Sequence, residues 1–167
     1  MLKNKRKIIP ENTMITYKLF RLKNGRLFPL FVETDREMII GEWLEAGIGE
    51  KADDTHVKSK LGPLSLRPGF HSTLVPFTDW IGKRDGDRLV QRKDTVWCEC
   101  EVDGDQVEVQ NRYGLRTIPD GRYFFKTRPT QPFPWIISKR IFIRCILKPE
   151  EVESICRWNG VEAQPIE

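Results

Sequence analysis

The string Leu66-Arg67-Pro68-Gly69-Phe70-His71-Ser72-Thr73 gathers an imidazole, a guanidinium and two hydroxyls around a Pro-Gly turn. An imidazole titrates near neutral pH, so His71 is a candidate general base or acid toward a phosphodiester or nucleotide. In that reading Arg67 stabilises developing negative charge, while Ser72, Thr73 and Tyr123 assist. The alternative is structural: His71 bonds the backbone of its own loop and Arg67 pairs with an acid from a strand face. One imidazole does not by itself make a catalytic constellation.

A second chemistry lies in the charge distribution. Between Arg112 and Arg144 there are eight bases against Asp120 alone, whereas between Glu33 and Asp54 eight acids face only Arg36 and Lys51. The basic half is interleaved with Tyr113, Tyr123, Phe124 and Trp135, the mixture of phosphate-binding cations and stacking rings that single-stranded nucleic acid and nucleotides use. Strand alternation selects Arg122, Lys126, Arg140 and Arg144 as ligand-binding cations, with Phe124 or Trp135 available to stack. The competing reading is rings in the core and a solvated charged face. Glu99, Glu101 and Glu108 form either an acidic cluster or the counter-ions of those bases, the latter if their strands share a sheet.

Three glycine turns organise the elements that must carry these groups. Asn24-Gly25 joins Ile15–Lys23 to Arg26–Val32 as a hairpin with Leu22 opposite Leu27 and Leu19 opposite Leu30, and Pro29 limits its second strand. Asp103-Gly104 sets Cys100 against Val107 and Cys98 against Val109, which brings Glu99 across from Glu108. Asp120-Gly121 joins Tyr113–Ile118 to Arg122–Thr127. A long strand, Trp135–Leu147, alternates Ile137, Ile141, Ile143, Cys145 and Leu147 with Ser138, Arg140 and Arg144. Helices are few: Thr34-x-x-Glu37 is a capping-box signature, and Pro149-Glu150-Glu151 opens a short terminal helix closed by Asn159-Gly160. The stretch Gly47–Pro76 has no sustained period and reads as a long loop around Leu64–Leu66.

The 167 residues are 39% hydrophobic, enough for a single core. No apolar run approaches the ~18–20 residues of a membrane span. The net charge of +4, from 28 basic and 24 acidic residues, equals the contribution of Lys3, Lys5, Arg6 and Lys7, so the rest of the chain is balanced. That start has neither the apolar stretch nor the small-residue cleavage site of a secretory signal, which makes cytoplasmic residence the expectation. The four cysteines include no C-x-x-C pair, and Cys98 and Cys100 alternate on an apolar strand as buried thiols do. The one zinc combination that the spacing leaves open is Cys98 and Cys100 with a histidine; no cofactor is expected. There is no Gly-rich phosphate loop, G-x-S-x-G elbow or H-E-x-x-H.

The order Arg67-Pro-Gly-Phe-His71, Val96-Trp-Cys-Glu99, Pro119-Asp-Gly-Arg-Tyr123 and Pro134-Trp-Ile-Ile-Ser138, followed by a closing helix, resembles a family of uncharacterised bacterial and bacteriophage domains found in mobile-element proteins. The likeness runs from about Tyr17 to Trp158. It implies one compact α+β module of phage or mobile-element origin and brings no established activity with it. Cys98 departs from the acidic or small residue of the strand motif, and the linker before Pro119 is short.

The expectation is a basic tail over residues 1–14, a single α+β domain over 15–160 on a mostly antiparallel, twisted sheet, and a tail over 161–167. Functionally, the sequence points to an accessory domain binding nucleic acid or a nucleotide through its basic sheet face. The alternatives are a His71-centred enzyme and a structural or interaction protein without a ligand.

Overall fold

The computed structural model describes residues 12–167, and the basic run Lys3–Lys7 lies outside the described residues. The strands are β1 (Met14–Lys23), β2 (Arg26–Phe28), β3 (Trp43–Glu45), β4 (Lys51–Asp53), β5 (His56–Val57), β6 (Leu64–Ser65) and β7 (Phe70–Thr73). They continue as β8 (Lys83–Asp85), β9 (Arg88–Val90), β10 (Thr95–Val102), β11 (Arg122–Phe125), β12 (Trp135–Ser138) and β13 (Arg140–Ile146), before α1 (Pro149–Trp158). The main sheet runs β11-β12-β7-β1-β10-β13-β3 with β2 hung on β1, and every strand pair in it is antiparallel. With one terminal helix, this is the expected α+β class.

Asn24 and Gly25 both take positive φ (52° and 74°), the conformation a two-residue hairpin loop demands, and Leu22 pairs with Leu27 as expected. Pairing stops at Phe28, before Pro29, whose missing N–H cannot extend the ladder.

The other two glycine turns close no hairpin. One edge of β10 is taken by β1, from Met14↔Val102 to Arg21↔Thr95, and the other by β13, so residues 105–110 cannot return along it. The inward face of Cys98, Cys100 and Val102 is as expected, but it meets Thr16, Lys18 and Ile143 instead of Val107 and Val109. Glu99 therefore pairs in register with Tyr17 and Cys145, and Glu108 stands exposed off the sheet. Likewise Tyr113–Ile118 forms turns, and β11 pairs with β12. The Thr34–Glu37 helix is absent: Met38 bridges to Leu27 and is drawn 98% out of solvent into the core, an extended pairing that a helix there would forbid.

The expected long strand breaks at Lys139. Its first half, β12, pairs with β7 and β11, and its second, β13, with β10 and β3. Because the path β12-β7-β1-β10-β13 begins and ends on consecutive segments of chain, the sheet wraps round on itself, as strand twist favours. Phe20, Phe70, Cys98, Cys100, Ile136, Ile141 and Ile143 fill the interior. Outside it, α1 begins with Pro149, the Lys148 N–H donates to Glu151 Oε1 at 3.0 Å, and Val152 and Cys156 cover Leu19, Val75 and Trp97. Residues beyond the helix return to the body, where Gln91 bridges in parallel to Ile166 and Lys83 pairs with Glu167. The supposed loop 47–76 contains the small sheet β4-β5-β6 and the central strand β7, which places His71 in a strand and not at a turn tip.

Candidate functional site

In β7, β12 and β11 the register sets His71 beside Ile137 and Ile137 beside Tyr123, with Thr73, Trp135 and Phe125 following the same alternation. One face therefore presents His71, Tyr123, Phe125 and Trp135. Arg67, entering β7 through Pro68-Gly69, lays its guanidinium 4.4 Å from the centroid of the Phe125 ring. The His71 and Trp135 rings meet edge to face at 5.9 Å. Tyr123 is fully buried, and its hydroxyl accepts the Leu115 N–H at 3.1 Å.

This contact ties down the loop 111–116. Gly114 has φ +73°, and a Cβ there would stand 2.8 Å from Arg67 Cδ and 3.0 Å from the Tyr123 hydroxyl. Only glycine lets the loop come so close, and Arg116 at its end stands near enough for its charge to act on Arg67.

Of the five candidate catalytic residues, Arg67, His71, Thr73 and Tyr123 share this face, though the Thr73 hydroxyl is spent on the backbone, and Ser72 does not. Ser72 points to the opposite side of the sheet, fully buried, with its hydroxyl 3.5 Å from the Ile136 carbonyl. Thr73 is buried and donates to the Val75 carbonyl. His71 itself is electrostatically disabled as a proton carrier. Burial, then the charges of Lys18 and Arg67, push it down to about 3, so it is neutral at physiological pH and a feeble base. Its Nδ1 lies 3.2 Å from the Gly69 carbonyl and so carries the proton, which is the backbone-bonding alternative. Lys18 Nζ donates to the carbonyl of His71 at 2.8 Å, and burial lowers that ammonium to about 8.

The expected basic groove through Arg122, Lys126, Arg140 and Arg144 does not form. After the break at Lys139, Arg140 and Arg144 lie on β13 beside β10 and meet carboxylates there. Arg144, only 13% exposed, lies 3.4 Å from Glu99 and 3.0 Å from Glu101, the counter-ion reading of that acidic face. Arg140 pairs with Asp103 through both Nε and Nη2 and stacks 4.6 Å over Trp43. Arg122 donates to the carbonyls of Asn12 and Gly104 at 2.6 and 2.7 Å. Phe124 and Lys126 are exposed, but alternation turns Phe124 away from the face that holds Trp135.

Among the described residues, Arg67, Arg112 and Arg116 carry charge that no carboxylate within ion-pair distance compensates, as do Arg122, whose Nε is likewise buried without a partner, and Lys126. Arg67 Nε is buried without a hydrogen-bond partner, and both burial and the Arg116 charge lower its pKa. Arg116 donates to the Thr55 carbonyl at 3.3 Å, and Arg112 stacks 4.6 Å over Tyr113, whose ring is 51% exposed. The sequence signal was present as Arg112-Tyr113-Gly114-Leu115-Arg116, two arginines four apart about a glycine.

Among the described residues no three His, Cys, Asp or Glu side chains gather as metal ligands, and no helix is long and apolar enough to cross a membrane. Cys98, Cys100 and Cys156 are buried unbridged thiols, with Cys98 pushed up to about 12 by burial. Compared with protein-family models, curated proteins and solved structures, the chain matches none.

Proposed function

We propose that this chain is a binding module for a phosphate-bearing anion, a nucleotide or the backbone of single-stranded nucleic acid, taken up on the face of Arg67, Arg112 and Arg116. The observation that carries the proposal is Arg67 Nε, buried without a partner beside a second guanidinium and no carboxylate. An unmet buried N–H costs on the order of 1–3 kcal/mol, which a phosphate oxygen arriving at Arg67 would recover as a charge-assisted bond. Arg112 and Arg116 widen the positive rim, and the exposed Tyr113 ring offers a stacking surface for a base. An accessory protein of a phage or mobile element is the setting that the sequence resemblance implies for such a ligand.

Proton-transfer catalysis by His71 is the weaker reading, because an imidazole held at about 3 cannot act as an acid at neutral pH. The test is a fluorescence-anisotropy titration with a labelled single-stranded oligonucleotide at low and high salt, competed by a nucleoside triphosphate. Arg67→Met keeps the apolar stem on Phe125 and removes the charge. It is expected to weaken binding about ten- to a hundredfold, in line with the roughly 1.5–3 kcal/mol typical of a hydrogen bond to a charged group, and to reduce the salt dependence. No affinity for either probe at low salt would refute the proposal.

A further inference from the structure

A cavity of about 80 Å³ opens where Leu19, Leu30, Phe31 and Ile81 form an apolar floor, and it shares no residue with the Arg67 face. An apolar cavity of about 150 Å³ holds a benzene ring, so this one holds roughly a single branched side chain. Its mouth is unlike its floor. Leu61, 62% exposed, and Trp80, 42% exposed, extend the apolar surface outward past the cavity, so an occupant of matching shape continues beyond the one group that fits inside.

The wall is already in place. Arg128, held by Asp79, stacks 4.6 Å over the Trp80 ring and fixes it. Gly82, at φ +141°, lets the chain press against β9 so closely that a Cβ there would sit 2.4 Å from the Val90 carbonyl. Arg92, also at the mouth, is exposed and has no carboxylate within ion-pair distance among the described residues. An apolar socket lined in part by an exposed arginine without a carboxylate partner is complementary to an apolar group that carries a carboxylate nearby.

We infer that this pocket receives the C-terminal residue of a partner polypeptide, its aliphatic side chain in the cavity and its terminal carboxylate on Arg92. The exposed Leu61 and Trp80 favour a polypeptide over a small acid, because they meet the residues that precede the last one. Main-chain and carboxylate contacts then supply orientation, and the filled socket supplies most of the affinity. This rests on residues separate from the anion-binding face, so the two proposals stand or fall independently.

The experiment titrates the full chain with a fluorescein-labelled pentapeptide of apolar residues ending in leucine, with the same peptide amidated at its C-terminus, and with octanoate as competitor. Arg92→Gln and Leu61→Asp, both at exposed positions, are the variants. Saturable one-to-one binding of the free-acid peptide is expected, weakened at least tenfold by amidation and by Arg92→Gln, and weakened again by Leu61→Asp. Equal binding of the amide, indifference to Arg92→Gln, or no peptide binding would overturn the inference. Binding of octanoate without the peptide would make the pocket an amphiphile site. Concentration-dependent dimerisation lost in Leu61→Asp, again without peptide binding, would make it a self-association surface.

Discussion

Gly104 and Gly121 lie back to back: a Cβ on Gly104 would stand 2.8 Å from the Cα of Gly121, and one on Gly121 would stand 2.3 Å from the Asp105 carbonyl oxygen. The two turns thus brace each other where the end of β10 meets the start of β11. Around them the Arg122 N–H donates to Asp105, the Val107 N–H to Arg122 and the Lys139 N–H to Gly121, a small network that anchors β11 and the break after β12. Gly121 also has φ +133°, a conformation that side-chain-bearing residues avoid.

Gly121→Ala is therefore expected to destabilise the fold by about 2–4 kcal/mol, strain and backbone clash together, since neither contacting atom is a flexible side chain. Thermal unfolding would show a midpoint lowered by several degrees or more, with Gly25→Ala, whose Cβ meets nothing within 4 Å, as the milder control. An unchanged midpoint for Gly121→Ala would deny that the two turns pack as described.

Arg144 neutralises two carboxylates on one strand face, and at 13% exposure it is poorly replaced by water. Arg144→Met should cost about 2–4 kcal/mol, because it leaves Glu99 and Glu101 without their shared counter-ion in a partly buried site. Adding Glu101→Gln should restore part of that loss. Strictly additive effects in the double-mutant cycle would mean that the pair is not coupled.

The pH response of His71 has a definite sign. Its folded value of about 3 lies below the ordinary 6.5, so between those limits the unfolded chain binds the extra proton. Stability should fall as pH drops from about 6.5 toward 3, with this residue contributing a slope of at most about 1.4 kcal/mol per pH unit. His71→Asn should flatten that limb in denaturant titrations. An NMR titration in which the His71 ring protonates near pH 6.5 in the folded protein would contradict the assigned environment.

Thiol accessibility follows from burial. Cys98 and Cys100 are fully buried and Cys156 is buried on the inward face of α1, with pKa values pushed up to about 12 for Cys98 and about 11 for Cys156. Under native conditions near pH 8, mass spectrometry after brief iodoacetamide treatment should find label on the half-buried Cys145 and none on the other three. Rapid labelling of Cys98 or Cys100 would place that strand face outside the core.

Strands β1, β10, β11 and the two halves of the Trp135–Leu147 segment, with the Asn24-Gly25 hairpin and the terminal helix, were legible because each depends on alternation, a turn or a cap within a few residues. By contrast, β7 and the short strands β3–β6, β8 and β9 have too few residues for a period to show. What β10 pairs with was not legible either. A Gly turn favours the neighbouring segment, but Met14–Arg21 and Phe142–Ile146 claimed the two edges of β10 from far away in sequence, and with them went the Glu99–Glu108 contact. The same limit moved the candidate site. Alternation correctly put Arg140 and Arg144 on a polar face of their strand, but it could not say that Asp103, Glu99 and Glu101 would lie beside them. The Arg67 and Arg116 neighbourhood depends on the loop 111–116 folding over β11 through Gly114, a close approach that periodicity does not encode.

The central claim is that Arg67 Nε awaits an oxyanion, and the most direct measurement is ¹⁵N NMR of the arginine side chains during titration with a nucleoside monophosphate. The account predicts that the Arg67 Nε–H resonance shifts furthest and becomes protected from exchange, with Arg116 following and Arg144 unmoved. Saturation that perturbs Arg122, Lys126 or Arg140 while leaving Arg67 unchanged would contradict it.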